Sequence, residues 1–297
     1  MSERTVSTRI PTVRRENRAD GRLVFRRNIG RAMRHLVLIL WCSTAVFPVV
    51  WVFLNAFKDN SQIFGGPFRF PDPAIWTNFA AAYRGIHLST TLVNSLFYSA
   101  VTVSVTLLIC SMCAFYLSKI AKNNLLYVFF IMGIMIPVHA IIIPIFVTMR
   151  NFGLLNSRVG IIMVYIVTNI SLSVFIITGF MRKGVPNELL EASIIDGCGP
   201  ITAFFRIALP ITTPALATVG TFVFLGVWNE FLFALLMLSR PALRTLNLSV
   251  YMLRGQYSSD HGLMAAGVII LVTPAIIIYT LFQEQVVKGL TAGALKG

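Results

Sequence analysis

The chain has 297 residues, 56% of them hydrophobic and only 12% charged, with a mean hydropathy of +0.77. Such a composition excludes an ordinary soluble globule and points to a polytopic membrane protein. The formal net charge of +14, from 25 Lys and Arg against 11 Asp and Glu, does not signal nucleic-acid binding, because the excess is gathered near the amino terminus.

Residues 1–34 hold Arg4, Arg9, Arg14, Arg15, Arg18, Arg22, Arg26, Arg27, Arg31 and Arg34 against Glu3, Glu16 and Asp20, with little apolar periodicity. They are expected to form a largely disordered cytoplasmic tail that fixes topology, with contact to the anionic headgroups of membrane lipid as the alternative. A cleaved signal peptide fits poorly, since the following apolar stretch is too long and lacks a small-residue cleavage site. Six apolar stretches follow, at 35–57, 90–117, 125–149, 159–181, 211–237 and 263–285. Each is near the ~20 residues a helix needs to cross the hydrocarbon core, and too long for barrel strands. The fold class is therefore an all-α membrane protein of six transmembrane helices spanning 35–287, with both termini on one side. The basic tail places that side in the cytoplasm, the remaining Lys and Arg being nearly balanced.

The first outer loop, Lys58–Leu88, combines Gly65, Gly66, Pro67, Pro71 and Pro73 with Phe64, Phe68, Phe70, Trp76, Phe79 and Tyr83. Turn residues and aromatics suit an interfacial cap. In the second span, Ser95, Ser99, Thr102, Thr106, Cys110 and Cys113 recur at helical spacing on one face. That stripe reads as close helix packing or, alternatively, as the wall of a hydrophilic pathway. Cys110 and Cys113 form a C-x-x-C without partner ligands nearby in sequence, so a redox or metal site is not expected. The third span carries Pro137 and Pro144 with His139 between them, and each proline can bend the helix.

After the fourth span comes PNELLEASIIDGCGPITAFFRIALP, Pro186–Pro210, polar and punctuated where its surroundings are apolar. Pro186 suits a first helical turn, Glu188 and Glu191 complement the positive end of a helix, and Gly197 ends it. A second short helix restarts at Pro200, with Ile201, Phe204, Phe205 and Ala208 on one apolar face. Two short helices between membrane spans make a knob that another protein can grip.

This run resembles the EAA motif of the membrane subunits of ATP-binding-cassette (ABC) importers, with Glu191, Ala192, Ser193, Gly197, Ile207, Leu209 and Pro210 in register. Ser193 in place of the second Ala is the one departure. The resemblance implies a type I importer permease fold and a coupling loop, 182–210, seated on an ATPase subunit. Glu188, Leu189, Glu191, Ala192, Ser193, Asp196 and Gly197 would make that contact, with Ile207, Leu209 and Pro210 fixing the loop to the fifth span. Met135–Ile166 is similar to the third span and following turn of sugar-type ABC permeases. The end, Val286–Gly297, resembles the K-G-x-T-A-G-A-x-K-G of the maltose-type second permease, and its Gly content predicts a mobile cytoplasmic tail over 288–297.

In the fifth span, Trp228, Asn229 and Glu230 lie near the outer end, and Glu230 is the only acid expected inside a span. An intramembrane acid is expensive, so Asn229 and Glu230 are a candidate polar site, or else Glu230 reaches the outer interface or holds subunits together. The sequence contains no G-x-x-x-x-G-K-[ST], so ATP and its Mg are expected on a partner ATPase and no cofactor on this chain. No hydrolase motif is present, and His35, His87, His139 and His261 form no ligand set.

By resemblance, the chain is the permease subunit of a carbohydrate importer in the bacterial inner membrane. Its implied partners are a second, homologous permease, a dimeric ATPase and an extracytoplasmic sugar-binding protein, which would meet the outer loops. An ion-coupled secondary transporter is the competing class, to be marked by several intramembrane ionisable groups or an inverted repeat. Within the ABC class, a non-sugar solute such as glycerol phosphate stays open.

Overall fold

The computed structural model describes residues 16–121, 124–254 and 260–294, which are helical with no strand among them. Five helices are long and apolar enough to span a membrane, and a bent pair supplies a sixth.

The chain divides into Met1–Leu54 and Asn55–Gly297. The described part of the first unit lies in one helix, α1 (Glu16–Asn55), whose apolar part is Gly30–Asn55. Helix therefore begins well inside the segment expected to be unstructured; residues 1–15 lie outside those described. The physical reason is propagation: once an apolar span is helical, extending it into Arg, Leu and Glu costs little per residue.

The second unit begins with α2 (Asn60–Gly65) and α3 (Thr77–Gly85), which turn the first outer loop into a folded cap. Asn78 Nδ2 donates to the carbonyls of Ala56 (3.0 Å) and Lys58 (2.9 Å). A Cβ on Gly262, at the start of the last helix, would collide with that same Lys58 carbonyl. Lys58 is itself buried, which pushes its ammonium below the usual lysine range, and its Nζ donates to Pro67 O at 3.3 Å. Phe64, Phe68, Phe70 and Trp76 stay exposed, as aromatics at a membrane interface do.

The second span is α4 (Leu88–Phe115), extended by a π-helical turn over Tyr116–Ile120. Its stripe of small polar residues is buried from Ser95 to Cys110, with Thr102 and Thr106 fully covered, and Cys113 is half-buried. Here α4 packs against α7 (Arg158–Gly184) and α10 (Leu209–Asn229). The helices approach closely, since a Cβ on Gly220 of α10 would stand 3.2 Å from Leu107 of α4. The packing reading of the stripe therefore holds over the pathway-wall reading. Cys110 is buried with its Sγ 3.8 Å from Ile170 O, all four cysteines are free, and no metal-ligand cluster occurs among the described residues.

The third span is broken. Helix α5 (Asn124–Ile134) stops, a 3₁₀ turn occupies Val138–Ile141, and α6 (Ile142–Asn151) leaves at 86° to α5. Pro137 causes the break, because it lacks an N–H and restricts the residue before it. Pro144 sits in the first turn of α6, where its missing N–H costs nothing, so it introduces no bend of its own.

The fifth span also departs from the expected 211–237. After the loop helices α8 (Asn187–Ile195) and α9 (Pro200–Ala203), a π turn over Phe204–Ala208 runs directly into α10, which ends at Asn229. Glu230 is extended, and the remaining apolar residues form a separate short helix, α11 (Leu232–Met237). After α12 (Leu246–Tyr251), the last helix, α13 (His261–Ala294), carries helical backbone through the segment expected to be mobile as far as Ala294.

Candidate functional site

The loop between α7 and α10 is shaped by local chemistry. Pro186, extended, ends the turn out of α7, and α8 starts at Asn187 with Glu188 in its first turn. Gly197, at φ +81°, closes the helix in the left-handed region. The N–H of Cys198 donates to Ser193 O (2.8 Å) and that of Gly197 to Ile194 O (3.0 Å), the paired bonds of a Schellman motif. Pro200 then opens α9 in its first turn.

Exposure separates the predicted loop residues into two groups. Glu188, Leu189, Glu191, Ala192, Asp196 and Gly197 are exposed, whereas Ser193 is buried and its hydroxyl donates to Leu190 O at 2.7 Å. The burial explains why a small residue stands there. Ile207 and Leu209 are half-buried against the bundle, while Pro210 is exposed. The expected apolar face of Ile201, Phe204, Phe205 and Ala208 is not one face: Phe204 and Ala208 are buried, Ile201 and Phe205 exposed. The π turn adds a residue per turn and breaks the 3.6 period on which that expectation rested.

Sequence reasoning missed Ile194 and Ile195, which the structure leaves 68% and 86% exposed; Ile201, on α9, is 70% exposed. Leu189 on the same helix as Ile194 and Ile195 is exposed too, as are the acidic side chains of Glu188, Glu191 and Asp196. Several large apolar side chains left uncovered on one loop outside a membrane span point to a protein contact. Two attachments tie the loop to the bundle: the ring of Phe204 lies 5.5 Å from that of Phe115 on α4, and Lys119 Nζ donates to Val185 O and to Asn187 Oδ1 (2.9 Å).

The second site lies where the two broken spans face α7. A cavity of about 380 Å³ is lined by His139 from the α5–α6 break, Tyr165, Thr168 and Asn169 from α7, and Asn229, Glu230 and Phe231 from the α10–α11 break, with apolar neighbours. Glu230 is held by three donors: Tyr165 hydroxyl to Oε2 (2.9 Å), Phe233 N–H to Oε1 (2.7 Å) and Ala234 N–H to Oε2 (3.2 Å). It therefore caps α11 and creates the break, meeting the cost of an acid in the span with backbone donors. The Asn229 side-chain Nδ2 donates back to Leu225 O (2.9 Å), and the Asn229 backbone carbonyl accepts from Asn247 Nδ2 (3.0 Å). Thus Asn229 and Glu230 share one cavity but do not bond each other; the side chain that bonds Glu230 is that of Tyr165.

Residues 106–291 match the sequence profile of a family described as the binding-protein-dependent transport system inner membrane component. The chain belongs to this family. It is a multi-pass, non-catalytic component of a bacterial inner-membrane ABC importer, working in general with a partner permease, an ATPase and a substrate-binding protein. That assignment sets aside the ion-coupled transporter. Relatives include the diacetylchitobiose uptake system permease NgcG of Streptomyces coelicolor, 30% identical over 89% of both chains. A putative ABC transporter permease, ORF2, of Caldicellulosiruptor is 36% identical, over 88% of this chain and 96% of that one. The sulfoquinovosyl glycerol permease SmoH of Agrobacterium fabrum is 30% identical, over 90% and 95%. Among solved structures, a bacterial ABC transporter that imports alginate superposes with a TM-score of 0.71 at 20% identity, covering 93% of this chain and 99% of that chain. This last likeness establishes the permease fold.

Proposed function

We propose that this permease carries a sugar or oligosaccharide across the inner membrane, supplying half of the pathway beside a homologous permease, and that Glu188–Pro210 couples it to a dimeric ATPase. The observation that carries the coupling assignment is the exposure of Leu189, Ile194, Ile195 and Ile201 on a loop that also exposes Glu188, Glu191 and Asp196, continues into α10 and sets Phe204 against Phe115 of α4. A partner that grips the loop thereby moves two spans at once, as alternating access requires.

The cargo assignment draws on relatives named for diacetylchitobiose and sulfoquinovosyl glycerol, and on the chemistry of the Tyr165–Glu230 cavity. Carboxamides, a hydroxyl and an imidazole beside Phe231 offer the hydrogen bonds and the flat apolar face that a sugar uses. Glu230, engaged by three donors, is a structural carboxylate rather than an ion-coupling site.

The test is purification of the tagged chain in mild detergent, followed by mass spectrometry and an ATPase assay of what accompanies it. An ATPase, a second permease and a sugar-binding protein should co-purify, and Glu191→Ala with Gly197→Val should abolish substrate-stimulated ATP hydrolysis. A complex whose activity ignores those changes would remove the coupling assignment. A co-purifying binding protein that takes no sugar would remove the cargo.

A further inference from the structure

A second cavity of about 310 Å³ lies at the end of the bundle that carries the Glu191 loop, walled by Leu117, Ser118, Lys119, Asn124, Arg182 and Asn187. Four elements meet there: the π-helical end of α4, the start of α5, the end of α7 and the start of α8. Two cations from different helices face one space, and no described residue in its wall is acidic. Glu188, in the first turn of α8, is the acid nearest in sequence and is not part of the wall.

The hydrogen bonds leave this cavity rich in donors. Lys119 Nζ occupies Asn187 Oδ1 at 2.9 Å, and Arg182 Nη2 occupies Asn124 Oδ1 at 3.0 Å. Both carboxamide oxygens are thus spent on the cations, while their NH2 groups remain as donors. The Ser118 hydroxyl is turned to Phe115 O at 3.5 Å. The guanidinium of Arg182 is laid over the Tyr127 ring, 4.3 Å from its centroid, which fixes the direction of its other N–H groups. Converging cations with oriented donors and few acceptors suit a tetrahedral oxyanion.

We infer that this cavity binds the phosphate of an anionic membrane lipid. The flanks decide between a lipid and other phosphates. Tyr116 and Ile120, on the turn that supplies Lys119, and Leu125, next to Asn124, are exposed apolar side chains, Leu125 at 83%. The α4 and α7 spans both end at the cavity, where a lipid headgroup lies beside its own acyl chains. A lipid seated there bridges the first residue of α8 to the ends of three membrane helices, and so stiffens the base of the loop.

The full-length chain, released from membranes in mild detergent, would be examined by native mass spectrometry with added phosphatidylglycerol, phosphatidylcholine or inorganic phosphate. Phosphatidylglycerol should be retained about five-fold better than phosphatidylcholine, the effect of the ~1 kcal/mol that one basic residue contributes at an anionic surface. Arg182→Gln should erase the preference and Arg182→Lys should retain most of it. Arg182 is exposed, so neither change threatens the fold, whereas Lys119 also secures the α7–α8 junction and is left intact. Equal retention of both lipids by the unaltered chain, or an Arg182→Gln variant that keeps the preference, overturns the site. Displacement of phosphatidylglycerol by equimolar inorganic phosphate overturns the lipid source, and displacement on adding the ATPase subunit hands the cavity to an acidic side chain of that partner. Because no outcome involves transport, failure here leaves the coupling assignment standing.

Discussion

Gly197 shows what a single residue can fix in this protein. A Cβ there would meet nothing within 4 Å, so the demand for glycine comes entirely from φ +81°. Gly197→Val therefore costs about 1–2 kcal/mol of local backbone strain and re-aims α9, without opening the bundle. Uptake should fall steeply while membrane levels and thermal midpoint stay near those of the parent, and an unchanged uptake rate would refute the role given to the loop. Glu230 is the opposite case, a residue whose side chain builds the backbone around it. Glu230→Ala strips the acceptor from Phe233 N–H, Ala234 N–H and the Tyr165 hydroxyl, each worth about 1–3 kcal/mol when left unsatisfied in a buried place. The melting temperature in detergent should drop clearly for Glu230→Ala and less for Glu230→Gln, which keeps one acceptor oxygen.

At the scale of elements, the two prolines of the third span make a controlled comparison. Pro137→Ala removes the cause of the 86° break and should let α5 continue into the cavity, depressing uptake. Pro144→Ala, in a first helical turn, should change uptake little; equal losses from both would show that the bend has another origin. The elements themselves were unevenly legible. The second and fourth spans, expected at 90–117 and 159–181, are found at Leu88–Phe115 and Arg158–Gly184, because an uninterrupted apolar run has only one use in a bilayer. The break after Asn229 was hidden, since Leu232–Met237 is as apolar as what precedes it and only the capture of two N–H groups by Glu230 divides them. In the loop, the helix stop at Gly197 and the restart at Pro200 were readable from residue type. The exposure of Ile194 and Ile195 was not, because the first short helix was read from its charged and capping residues, and Ile201, placed on an apolar face with Phe204 and Ala208, is left exposed while those two are buried.

For the whole molecule, the family and its inner-membrane placement follow from motif spacing that survives without any geometry, whereas the cavities exist only once broken helices are brought together. The π turn at Phe204–Ala208 links those two levels. Removing one residue from an ordinary α-helix rotates everything beyond it by about 100°, which here would swing Gly220 and Val223 off their neighbours. A π turn holds a surplus residue, so shortening Phe204–Ala208 by one should relax it to α-helix and leave α10 in phase. Loss of Phe205 should accordingly preserve folding and assembly, while a one-residue deletion within Thr218–Thr221 should destroy both, as size-exclusion profiles of the two proteins would reveal. The fifth span thus carries a spare place in its count, a point at which the length of the loop can change by one residue without the bundle losing its alignment.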